Sequence, residues 1–139
     1  MIMLTNKIAK VAIEDAQKEA EGLGIKISIA VVDEHGIIVN LAKMDGAFVV
    51  SPEFAYQKAY TSATLGLPTA DIAKYSIPGS PYYNIVNILP GKLTTIEGGL
   101  PVIIDGNVVG GVGVGGSSDV TQDTLCAKKA VEILKAHIK

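Results

Sequence analysis

One cysteine in 139 residues excludes an intramolecular disulfide. Only two histidines, His35 and His137, accompany it, so no zinc or iron–sulfur ligand spacing exists. Neither histidine sits in a recognisable nucleophile context, and a Ser/His/Asp hydrolase is not expected. Charge is also scarce, at 19% of residues with a formal net charge of -2. With no basic stripe, nucleic acid is excluded as a principal partner. No apolar run approaches the roughly twenty residues of a membrane-spanning helix. The first residues lack a basic segment followed by a long apolar core, so no signal peptide is expected. What remains is a soluble, cytoplasmic protein forming one domain over 1–139. Its 48% hydrophobic content points to a chain that hides much of its surface, in part by self-association into a homo-oligomer.

Apolar residues recur at helical spacing from Thr5 to Leu23, with Gly22 or Gly24 as the stop. "IKISIAVVD" and "IIVNLAKMD", joined by "DEHG", predict a hairpin. Ser51 and Pro52 predict an N-cap and first helical residue of a helix running to Leu65. A short helix opened by Thr69 follows, then a proline-punctuated loop with Tyr82 and Tyr83. Three more strands are expected in "LTTIEGG", "LPVIID" and "NVVGGVGVGG", the last two joined through "DGN". Ser118, Asp119 and Thr121 can cap a final helix, and Asp119 with Gln122 fits a capping box. The fold class is therefore α+β, with a mainly antiparallel sheet of about five strands flanked by helices.

Glycine is where the sequence is richest in meaning. Gly111, Gly113 and Gly116 satisfy the G-x-G-x-x-G spacing, yet only 23 residues follow, too few for the rest of a dinucleotide-binding unit. No Gly-Lys-Ser/Thr completes a phosphate loop either. In an extended strand, Val109, Gly111, Gly113 and Gly115 share one face, which is almost bare backbone. Such a face admits a helix with small side chains, a flat ligand or a symmetry mate. The stripe Ala55, Ala59, Ser62, Ala63 and Gly66 is a candidate for the first.

"SIAVVDEHGIIVNLAKMDGA", "AYQKAYTSATLGLPTADIA" and "EGGLPVIIDGNVVGGVGVGG", with "QDTLCAKKAV", resemble the GlcG/HbpS-like family over almost the whole chain. That family also supplies the carboxy-terminal domain of PduO-type corrinoid adenosyltransferases. The resemblance implies a profilin-like α+β fold, symmetric oligomers, binding of haem or a related tetrapyrrole in several members, and an accessory role in diol, glycerol or glycolate metabolism. It places Lys43, Asp45 and Gly46 in the family's R-M-D-G-A segment. Ala55, Lys58 and Ala59 fall in its A-x-x-K-A helix, and Gly98, Gly99 and Pro101 in its G-G-x-P segment. The chain departs from the pattern at Gly115, where members commonly carry serine, and at Ile37, where they often carry histidine.

Lys43 and Asp45, two apart at a strand end, can aim their side chains the same way, and Lys58 is expected to approach them from its helix. With the Thr61 hydroxyl they would suit a small carboxylate or haem propionates. The expected ligand-binding set is thus Lys43, Asp45, Gly46, Lys58, Thr61, Gly98, Gly99, Gly115 and Gly116. Tyr82, Tyr83 and His35 are the candidate axial donors for a haem iron. Three functional readings stand side by side: a small-molecule or cofactor-binding protein, an enzyme on a small carboxylate or aldehyde using Lys58 and Asp45, and a scaffold whose glycine and small-residue surfaces serve assembly.

Overall fold

The computed structural model of the chain describes residues 3–138. Helix α1 spans Asn6–Leu23. The Thr5 hydroxyl accepts the Ile8 N–H, and Gly24, at φ +73°, closes the other end with its N–H toward Ala20 and Glu21. Strands β1 (Ser28–Asp33) and β2 (Ile38–Lys43) form the expected hairpin. Helix α2 covers Ser51–Leu65 and helix α3 Thr69–Tyr75. Strands β3 (Gly99–Ile104) and β4 (Asn107–Gly115) meet at Asp105 and Gly106, both with positive φ, as a two-residue hairpin turn requires. Helix α4, Val120–His137, closes the fold.

The sheet is antiparallel throughout, in the order β2-β1-β4-β3. Among the described residues it has four strands, not five. The expected strand Leu93–Gly99 does not form as one; only its last residue, Gly99, is extended, as the start of β3. Its backbone is held by a side chain instead, the Thr94 N–H binding the Thr61 hydroxyl at 2.9 Å, and Gly98 bends the chain at φ +127° before β3 begins.

Period-two alternation sorts the two central strands between layers. Ile29 and Val31 of β1, with Val112 and Val114 of β4, join the core beneath α1 and α4. Ala9, Ala12, Ala16 and Ala20 of α1 bring that helix close to Ala127 and Ala130 of α4 in the same core. Ala30 and Val32 point the other way, into a smaller cluster with Ala55, Ala59 and Ala63 of α2. Opposite Ala30 and Val32 stand Gly113 and Gly111.

A Cβ on Gly111 would lie 2.5 Å from the Ala59 carbonyl oxygen, and one on Gly113 would collide with the Ala55 carbonyl. The backbone of α2 therefore rests directly on β4. Of the three occupants the bare face admits, the helix is the one present, so these surfaces are interior and not free for assembly.

Two capping expectations are corrected, Ser51 as a cap and the Asp119–Gln122 box. Ser51 is the first residue of α2, not its cap; its hydroxyl donates to the Phe48 carbonyl at 2.7 Å and pairs with Ser28 at 2.8 Å. Thr69 opens α3 as expected, directly after Pro68, and its hydroxyl accepts the Gly99 N–H. Asp119 caps α4 by accepting the Thr121 N–H, whereas Gln122 takes the Ser117 hydroxyl and completes no reciprocal box.

Candidate functional site

The fold divides the expected ligand-binding residues into two groups. Lys58 belongs to the first. It lies on the sheet-facing side of α2 and is 1% exposed. Its ammonium donates to the Val114 carbonyl at 2.7 Å and to Asp123 Oδ2 at 3.2 Å. Asp123, equally buried, accepts the Ser117 N–H on its other oxygen at 3.1 Å. Burial pushes the Lys58 pKa down and the Asp123 pKa up, and their mutual attraction opposes both shifts. The partner of Lys58 is therefore Asp123, across 65 residues of sequence, and not the exposed Asp45.

The other members of this group are built around that ammonium. A Cβ on Gly98 would stand 2.9 Å from Lys58 Nζ, and one on Gly99 would stand 2.5 Å from the Lys58 carbonyl oxygen. Thr61 uses its hydroxyl twice, donating to the Lys92 carbonyl at 3.3 Å and accepting the Thr94 N–H. Gly115 faces the start of α2, where an added Cβ would meet Phe54 Cβ at 2.8 Å. A side chain at position 115 would thus point into the helix. Lys58, Thr61, Gly98, Gly99 and Gly115 bracket the 92–99 segment against α2 and β4; they line none of the described cavities.

The second group lies at the surface, with Lys43, Asp45 and Gly46 exposed and Gly116 half-buried. Lys43 and Asp45 line a cleft of about 610 Å3 with Met44, Lys26 and Glu21. Gly46 and Gly116 line another of about 600 Å3, with Phe48, Ser117 and Gln122. Ile25 and Lys26 belong to both, so the two clefts adjoin. Gly46, at φ +84°, lies so close to Lys26 that a Cβ there would stand 2.8 Å from its Cδ. Lys26 is the residue the sequence reading missed; it borders a strand, and nothing local marks it as central.

The candidate donors are dispersed. His35 sits in the β1–β2 turn with its side chain 76% exposed beside Glu34 and lines none of the described cavities. Tyr82 lines a third cavity, of about 360 Å3, with Leu67, Tyr75 and Pro81. The Tyr75 and Tyr82 rings meet edge to face at 6.4 Å between centroids. Tyr83 follows on the exposed side of the loop. This cavity joins apolar walls to a phenol oxygen, a pairing suited to a flat aromatic ligand that carries a metal. Among the described residues no group of three His, Cys, Asp or Glu side chains could hold a metal ion by itself.

Comparison with known proteins places this arrangement. The chain is 35% identical over 135 residues to an "Uncharacterized 15.0 kDa protein in dhaT-dhaS intergenic region" of Citrobacter freundii, covering 92% of this chain and 94% of that one. It is 32% identical over 126 residues to the corrinoid adenosyltransferase PduO of Salmonella typhimurium, covering 91% of this chain but 36% of the enzyme. The solved PduOC:heme complex superposes with a TM-score of 0.89 at 28% identity, covering 98% of this chain and 96% of that one. Residues 4–132 match the family model described as "Haem degrading protein HbpS-like". The chain belongs to the HbpS-like family.

Proposed function

We propose that the protein is a cytoplasmic binding protein for haem or a related tetrapyrrole, and that the cavity at Tyr75 and Tyr82 receives it. The observation carrying this reading is the coincidence of an apolar, aromatic wall with an oxygen donor in that cavity. Family membership and the likeness to a haem complex support the ligand class.

The residues present fit such a group. Leu67, Pro81 and the Tyr75 ring would cover a macrocycle's face, and the Tyr82 phenol is of the donor type that holds ferric iron in some haem proteins. Lys74, adjacent in sequence to Tyr75, makes an exposed ion pair with Asp71 at 3.0 Å. Exposed pairs of this kind stabilise little, so its ammonium is free to turn to a propionate. Bound there, haem would supply a redox-active iron and a chromophore. The protein's own residues supply burial, orientation and the donor.

The adjoining clefts around Lys26 and Lys43 favour a second reading, in which they bind a small carboxylate through two exposed ammonium groups. An accessory role in diol, glycerol or glycolate metabolism would accommodate either ligand. The relatedness to part of a corrinoid adenosyltransferase makes cobalamin the parallel tetrapyrrole to test.

A hemin titration of the apo-protein, followed at the Soret band, checks the proposal. Saturation at one hemin per chain, or per two chains, is expected, with Tyr82→Phe weakening affinity and shifting the ferric spectrum. A non-saturating rise would overturn the haem reading. Saturation that Tyr82→Phe leaves untouched would overturn the site.

A further inference from the structure

The cleft of about 610 Å3 lies between the end of α1 and the end of the β1–β2 hairpin. Gln17 and Glu21, four residues apart and so on one face of α1, supply one wall. Gly24, at φ +73°, then turns the chain out of the helix toward Lys26. The hairpin supplies the other wall. There the Met44 N–H donates to the Ile27 carbonyl at 2.9 Å, which carries the β1–β2 pairing one step past Lys43 and sets Asp45 in the same cleft as Lys26. Lys26 Nζ would stand 3.2 Å from a Cβ on Gly46, so the lysine stem lies along the turn.

Four charged side chains, two of each sign, thus line one space: Lys26 and Lys43 with Glu21 and Asp45. No two of them form an ion pair. The ion pairs among the described residues are His35–Glu34, Lys58–Asp123 and Lys74–Asp71. The Lys43 ammonium reaches the Met44 carbonyl at 3.5 Å, the outer limit of a hydrogen bond. The spacing of the two walls therefore leaves a gap between opposite charges that a ligand can bridge. A simple anion entering this cleft meets repulsion from two carboxylates as well as attraction to two ammonium groups. A molecule carrying both signs gains from both sets.

We infer that the cleft takes a small amino acid, its carboxylate at Lys26 and Lys43 and its ammonium at Glu21 and Asp45. The inference rests on the second reading above, that these clefts hold a small carboxylate, and narrows that ligand to a zwitterion. The volume is within the range usual for small-molecule sites. The Gln17 amide offers a donor and an acceptor to a polar substituent, and Met44 gives the cleft an apolar element. Because the charged groups are exposed, each contact adds little, and dissociation constants of about a millimolar are expected.

A two-dimensional 15N–1H NMR titration of the full chain at pH 7 tests this, with L-alanine and γ-aminobutyrate as the zwitterions and propionate and propylamine as the single-charge probes. Saturable shifts at the Gly24, Lys26 and Asp45 amides are expected with at least one amino acid, at an affinity about fivefold or more above that of either single-charge probe. Lys43→Met is expected to weaken both the amino acid and propionate. Asp45→Asn is expected to weaken the amino acid yet tighten propionate, a reversal that a merely structural role would not produce. Propionate binding as tightly as the amino acids would overturn the inference and leave the carboxylate reading standing. Absence of saturable shifts at these amides with every probe would overturn both. Amino-acid binding that Lys43→Met and Asp45→Asn leave untouched would overturn the site.

Discussion

Lys58 shows how far a residue's neighbours decide its role. On sequence spacing it is a helix lysine free to meet a substrate; in the fold it is a buried cation hydrogen-bonded to Val114 and Asp123. Removing one member of such a pair leaves the other charge buried without compensation, which costs more than the pair itself contributes. Lys58→Met is therefore expected to lose about 3–5 kcal/mol of unfolding free energy, measured by urea denaturation. A loss under about 1 kcal/mol would show that water reaches Asp123 and that the pair is not interior. Asp123 was not legible beforehand. It lies in the first turn of a helix whose capping residues explain that turn without it, and no pattern in the chain couples positions 58 and 123.

Among the elements, α2 and β4 are the pair that organises the rest. Their closeness depends on glycine at positions where any side chain would strike the helix backbone. Gly113→Ala is expected to destabilise by about 3 kcal/mol or more, because the atom it meets is the Ala55 carbonyl rather than a movable side chain. Gly22→Ala is the counterpart. Gly22 is an exposed glycine within α1, with nothing inside 4 Å of an added Cβ, and the substitution is expected to stabilise by about 0.5–1 kcal/mol. Thermal melts of the two variants give shifts of opposite sign if the glycines differ in this way. Here the sequence was informative, since the alternation of Val and Gly and the small-residue stripe both pointed to close approach. The missing fifth strand was less so. Extended, β-branched residues at 94–96 read as strand, but the Thr61 hydroxyl takes the amide that a neighbouring strand would need.

For the molecule as a whole, the four-stranded sheet has the helix pair α1 and α4 on one face and α2, with the short α3 against it, on the other. Cys126 lies in the thicker layer, fully buried, and burial pushes its thiol pKa up to about 12. Thiolate is the reactive form, so modification at pH 8 requires opening of the α1–α4 layer. Labelling by a thiol reagent is expected to follow global unfolding across a urea series. Labelling far faster than unfolding would show that this layer opens by itself. No helix among the described residues is long and apolar enough to cross a membrane.

By itself the sequence determined the helices, the two hairpin turns, the antiparallel pairing of the hairpins and the close approach of some group to the glycine face. These follow from periodicity, caps and side-chain size, which act over a few residues and leave their mark in the order of the chain. Only the tertiary structure decided which of Lys43, Asp45, Gly46, Lys58, Thr61, Gly98, Gly99, Gly115 and Gly116 face solvent and which hold the core. It also decided that Lys26 and Tyr75 line cavities. Whether a polar residue serves a ligand or the fold depends on which group lies opposite it after the chain has closed. For Lys58 that group is Asp123, whose burial sets the energy of the contact and is nowhere written in the local sequence.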